Sequence, residues 1–402
     1  MIRKRWLALI GAVLGPLTCF GGARADEGII IIHPGPSAGG VSPEELAAAV
    51  NASSAISRAA VRSAFIQTQQ IDQDLTSLRE IWEAEEGAPV AYLSDADGYV
   101  VRLAAAQSGV PLFSQVSSGA ASSFASDLQA LAEKRINVFA TGFGVFGNNN
   151  GTGGAGSYGY NQPGMTAGVG YQVNDRLLLG SSFGFNQASS NGGGSDTDTS
   201  TYLFSAYGNF RPTPKSYIQA SIGYGAVLTN SAVTGAGLAK QSSTANQLNG
   251  SASAGYDFRT GAVRLTPYTT LQGSETWFPS HALAGAGPNS IFDNAYQASS
   301  VDLAGGIEAA YQVATRWGLF IPSARAEYHH EFIDQAFKLS GTEGSQMFLA
   351  SSASSVPNYA LVGARARLLL RDGTDVSLAY ERTLGQGAAY YSSVSLSLSR
   401  YF

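Results

Sequence analysis

The chain has 402 residues, a formal net charge of −5, 48 glycines, 10% aromatic residues and only 13% charged residues, with a mean hydropathy of zero. A soluble globular domain carries about 25% charge, an acidic balance speaks against a nucleic-acid partner, and the body of the chain holds no apolar run long enough for a membrane-spanning helix. Low charge with much Gly, Tyr and Phe suits a wall of strands whose apolar and polar residues alternate, so that hydropathy averages out.

Residues 1–25 read as an export signal: Arg3, Lys4 and Arg5, then an apolar stretch from Trp6 to Phe20, then Ala23-Arg24-Ala25, with the cut expected between Ala25 and Asp26. Its loss removes four basic residues and takes the net charge from −5 to −9. It also removes Cys19, the one cysteine, so no disulfide is expected. Residues 26–41 hold a short apolar run followed by a Gly/Pro linker.

Ser42-Pro43-Glu44-Glu45 is a helix start, with Ser as cap and Glu45 closing the capping box. From there to Glu86 the apolar residues Val61, Phe65, Ile71, Leu75, Leu78 and Trp82 recur mostly at three- or four-residue steps, which predicts a helix packed on a neighbour. Residues 90–103 read as a hairpin turning at Asp97-Gly98. Asp95 and Asp97 lack the remaining ligands of a calcium loop. A short helix is predicted at 122–135, with Phe124, Leu128 and Leu131 on one stripe.

From Asn137 the chain becomes about twelve alternating segments: 137–147, 163–173, 176–187, 200–210, 216–228, 244–258, 262–273, 299–313, 318–332, 357–370, 375–383 and 389–402. Their connections alternate in length. Asn174-Asp175, 211–215, 259–261, 314–317 and 371–374 are short; 148–162, 188–199, 229–243, 274–298 and 333–356 are long and polar or Gly-rich. Short turns at one end and long loops at the other are the layout of a bacterial single-chain membrane barrel, and an even strand count returns both ends of the barrel to the short-turn side.

The faces agree. Val301, Leu303, Ile307 and Tyr311 oppose Asp302, Glu308 and Gln312; Ala324, Ala326 and Tyr328 oppose Arg325, Glu327 and His329; Val362, Ala364 and Ala366 oppose Arg365 and Arg367. A charge on the lipid face near midplane costs roughly 2–4 kcal/mol, so Arg264, Asp302, Glu308, Arg325, Glu327, Arg365, Arg367 and Glu381 are placed in the lumen. In the final strand Val394, Leu396, Leu398 and Phe402 share one face and Ser393, Ser395, Ser397 and Ser399 the other, and the chain stops at an aromatic residue.

A helix followed by twelve strands, the stretches GMTAGVGYQVNDRLLLGSSFGF at 164–185 and TYLFSAYGNF at 201–210, and the SRYF ending together resemble an autotransporter β-domain, the translocator of type V secretion. The resemblance spans roughly 120–402. It implies a single-chain barrel in the outer membrane of a Gram-negative bacterium, Sec export, and insertion by the outer-membrane assembly machinery, with Leu396, Leu398, Tyr401 and Phe402 as the signal in the last strand. It divides the chain into a signal peptide (1–25), a short, mainly helical passenger-like region (26–118), a linker and pore helix (119–136) and the barrel (137–402). The helix at 122–135 is expected in the lumen, its Asp127, Glu133, Lys134 and Arg135 facing charges of both signs; the alternative is that it packs below the barrel as part of a periplasmic domain. Residues 26–118 lack the repeated β-rungs of a long surface passenger, so adhesion through the loops at 274–298 and 333–356, or a passive pore, are the alternative roles.

No enzyme, metal or cofactor is expected. No nucleophile elbow, a serine on a sharp strand-to-helix turn, is expected. His329 and His330 are adjacent on a strand and point to opposite faces, so they do not meet one ion. Gly151-Thr152-Gly153-Gly154 is followed by no helix that would make it a phosphate cradle.

Overall fold

The computed structural model describes residues 30–32, 43–85, 91–92, 134–149, 158–192, 194–233, 239–284, 291–333, 338–343, 346–351, 357–385 and 389–402. Alternation makes strands wherever the sequence carries it. After helix α1 (Pro43–Glu85) come β1 (Ile136–Asn149), β2 (Tyr158–Asn174), β3 (Leu177–Gly192), β4 (Ser195–Thr213), β5 (Ser216–Val233) and β6 (Ala239–Tyr256). They are followed by β7 (Val263–Phe278), β8 (Tyr296–Tyr311), β9 (Gly318–Glu331), β10 (Asn358–Leu370), β11 (Thr374–Leu384) and β12 (Ala389–Tyr401). Each strand pairs antiparallel with its chain neighbours, and β12 pairs with β1 from Tyr401↔Asn137 to Ala389↔Asn149, closing the ring. Closure leaves no strand edge, as lipid requires of a spanning sheet.

The short turns lie at one end. In the last of them Asp372, exposed, accepts the Thr374 N–H at 3.0 Å, which holds its carboxyl below the usual carboxylate range. Gly373 there takes a φ of 85°, open to glycine at no steric cost. At the other end the wall is uneven: β4 has 19 residues and β11 has 11, against the 9–11 or so that cross a bilayer. The expected long loop at 188–199 is corrected. The β3–β4 ladder runs out to Gly192↔Ser195, because main-chain pairing continues through Thr197 and Thr199 without needing an apolar face.

The outside carries an apolar belt, including Phe183, Phe204, Ile222, Leu271, Ile307, Leu378, Leu396 and Leu398. Inside, the polar side chains are buried with those of α1. The 122–135 helix lies outside the described residues except for Lys134 and Arg135, as do the export signal with Ala25 and Asp26 and most of the 90–103 hairpin.

Candidate functional site: the occupied lumen

Among the described residues, the helix inside the barrel is α1, the one whose apolar stripe predicted packing on a neighbour. That neighbour is the inner wall. Its 43 residues span about 65 Å at 1.5 Å per residue, longer than the membrane is thick. Ala48 lies at the long-loop end beside Gly194, while Asp74 accepts the Asn137 amide at 2.9 and 3.1 Å near the start of β1. Just past the helix, Ala91–Tyr92 pairs with Val313–Ala314 beside the short turn between β8 and β9. The chain therefore runs through the barrel from the long-loop end to the short-turn end.

Between 51 and 79 no helix side chain is exposed, and the half-buried ones form a stripe: Asn51, Arg58, Arg62, Phe65, Gln69, Asp72, Gln73 and Thr76. That three- and four-residue spacing is one helix face. The opposite face is small and fully buried, with Ala49, Ala60, Ser63 and Ala64 all at 0% exposure, and packs most closely on β4 and β5. Uncharged side chains fix it there. Gln162 donates to Ser63 at 2.7 Å, Ser63 donates to Asn186 at 2.8 Å, Gln67 donates to the Leu203 carbonyl at 3.2 Å and Gln247 to the Ala60 carbonyl at 2.7 Å. A Cβ on Gly184 would come within 2.8 Å of Gln67, so glycine makes the notch that side chain fills.

The stripe instead faces β7–β11 across a cavity of about 260 Å³ lined from Arg58 to Arg79, a stretch of about 30 Å along the helix axis. Here the wall is charged. Arg264 pairs with Glu308 at 2.8 Å, Arg325 with Glu381 at 2.5 Å and Glu327 at 3.4 Å, and His329 bridges Asp302 at 2.8 Å and Glu327 at 2.9 Å. Helix groups complete the network. Gln69 and Gln73 donate to Glu381, and Arg365 and Arg367 donate to the carbonyls of Gln73 and Ser77 at 3.4 and 2.9 Å. Arg79, absent from the sequence expectation, lies 3.4 Å from Asp257 with its guanidinium over Tyr217. Towards the short-turn end Ile71, Leu75 and Leu78 meet Phe139, Leu178, Tyr207, Leu319, Ile321, Leu369 and Tyr401, an apolar collar around the helix. Thus Tyr401 points inward, while Leu396, Leu398 and Phe402 face out.

The autotransporter β-domain family model matches residues 138–381, more than half of the chain. The chain belongs to that family. Its fold is similar to the translocator domain of the autotransporter NalP from Neisseria meningitidis, at 14% identity and a TM-score of 0.55 over 70% of this chain and 94% of that one. The β-domain of the Bordetella autotransporter BrkA matches at 13% identity and 0.52, over 67% and 100% of the two chains. The transport unit of AIDA-I from Escherichia coli matches at 17% identity and 0.51, over 67% and 91%. No curated protein matches the sequence. The chain is thus an autotransporter barrel of the Gram-negative outer membrane, a transport unit of type V secretion whose apolar belt faces lipid. Among the described residues no helix is both long and apolar enough to cross a membrane; this autotransporter crosses with strands.

Proposed function

We propose that this barrel translocates only its own N-terminal segment and retains α1 as a resident plug. The observation that carries the reading is the threading of α1, with its N-terminus at the long-loop end and residues 91–92 at the short-turn end. Long loops face the cell exterior in bacterial barrels, so Ile30–Ile32 and the start of α1 lie outside, while Ala91–Tyr92 and the start of β1 lie on the periplasmic side. The passenger-like region thus shrinks from 26–118 to a stub. The chain works without catalysis. Sec exports it, the cut falls between Ala25 and Asp26, and the assembly machinery reads the last strand through outward-facing Leu396, Leu398 and Phe402, with Tyr401 acting from within. Deleting Phe402 should lower outer-membrane levels more than synthesis; unchanged membrane levels would reduce Phe402 to one more lipid contact.

The deciding experiment is a protease site inserted between Gly39 and Gly40. Protease added to intact cells should cut it. Cutting only after the outer membrane is opened would place the segment in the periplasm and overturn the reading. A second role is favoured by the cavity beside α1, which runs about the depth of a bilayer core: slow passage of small hydrophilic solutes. Single-channel recording of the intact protein tests it, and a silent channel rejects it.

A further inference from the structure

The connections after β7 and β9 build a second sheet at the long-loop end. Gln346–Ser351, Lys338–Glu343, Ile291–Asp293 and His281–Ala284 pair antiparallel in that spatial order. The far edge of Gln346–Ser351 is taken by the N-terminal segment, with Ile30↔Ser351, Ile31↔Ala350 and Ile32↔Leu349. The sequence around it is Gly28-Ile29-Ile30-Ile31-Ile32-His33-Pro34-Gly35-Pro36. Four consecutive β-branched residues favour a strand, and Pro34 and Pro36 lack the N–H needed to prolong a ladder. An apolar, uncharged run of this kind is an aggregation hazard when its edges are left open.

We propose that the far edge of Gln346–Ser351 is a binding site for an extended apolar strand, recognised by main-chain pairing, and that its resting occupant is this chain's own segment 30–32. The inference rests on the threading proposed above and goes beyond it. What is delivered outside is a clasp, and it ties the plug's outer end to the connections after β7 and β9. The ladder has three residue pairs, against six between Lys338–Glu343 and Gln346–Ser351, so the clasp is a shorter seam than the hairpin it docks on.

The test uses paired cysteines in a Cys19→Ala background, which leaves no native thiol. Residues opposite one another in an antiparallel pair have Cβ atoms about 4.5–5.5 Å apart, close to disulfide reach. Ile31→Cys with Ala350→Cys should give a reducible intramolecular link in most of the folded protein on whole cells, read as a mobility shift at monomer mass. Ser63→Cys with Asn186→Cys, a pair whose side chains are hydrogen-bonded across the lumen, reports threading separately. The unboiled, heat-modifiable band shows that each variant has folded. A link at 63/186 without one at 31/350 overturns the clasp and leaves the threading intact. Failure of both in a folded barrel overturns both. A reducible band at dimer mass from 31/350 overturns self-occupancy and assigns the edge to the strand of a second copy.

Discussion

The two sides of the lumen solve the same problem in opposite ways. Against β2–β6 the helix presents Ala and Ser, and the wall answers with Gly, Ser, Gln and Asn at packing distance. Against β7–β11 it presents Arg, Gln and Asp, and the wall answers with ion pairs across a cavity. The first side fixes the position of the helix through shape. The second satisfies charge at longer reach, where cavity water can also solvate it. A plug held tightly on one side only is a plug with a seam.

The comparison breaks most visibly if the plug is removed. Deleting 43–85 should raise single-channel conductance several-fold in a barrel that still shows heat-modifiable mobility; unchanged conductance would mean that something else fills the lumen. Next in size is Asp375→Ala. It strands Arg367, which is paired at 2.6 Å with both side chains nearly inaccessible, and breaking a dry pair costs about 3–5 kcal/mol. Urea titration in detergent should show the loss, and a shift below about 1 kcal/mol would mean that water reaches Arg367 after all.

Substitutions on the two faces of α1 sharpen the contrast. Ala60→Leu pushes into Val227 and Ala245 and should cost about 1–3 kcal/mol by overpacking, seen as increased conductance or protease access as the helix shifts. Thr76→Leu enters the cavity and should stay within about 0.5 kcal/mol. Equal costs for both would show that the two sides pack alike. The smallest effect belongs to Glu308→Gln, which keeps the shape and hydrogen-bonding reach beside Arg264 and Arg365 but removes one negative charge from the cavity. Its signature is a shift of reversal potential towards anions with little change in stability; a stability loss like that of Asp375→Ala would show Glu308 to be dry.

The strands were legible because each needs only a period of two, and Val301 against Asp302 states it without ambiguity. Their upper ends were not. Asp196-Thr197-Asp198-Thr199 has no apolar face, so it reads as loop, although its backbone pairs as well as any other. The helix at 43–85 was also legible as a helix, but its surroundings were not. Ile71, Leu75 and Leu78 mark one packing face and say nothing about what packs there. The clue lay in the rest of the circumference: Arg58, Arg62, Gln69, Asp72 and Gln73 form a polar stripe, and the remaining positions are mostly Ala, Ser, Thr and Gln. That is the surface of a helix whose solvent is a polar wall. The family resemblance, with charge matching, pointed to 122–135, which lies mostly outside the described residues, and charges of both signs match many partners.

The closing pair has a topological consequence. Ile136 and Phe402 exchange main-chain hydrogen bonds at 3.1 and 2.8 Å, so the loop they shut is made of the whole barrel and contains the very end of the chain. With that loop shut, α1 is a thread through a ring of which it is itself a covalent continuation. It has no sideways exit and slides only along the axis. Pulled outward from its N-terminal end, it is held by its covalent continuity with β1, a mechanical limit that unfolding of the ring alone removes.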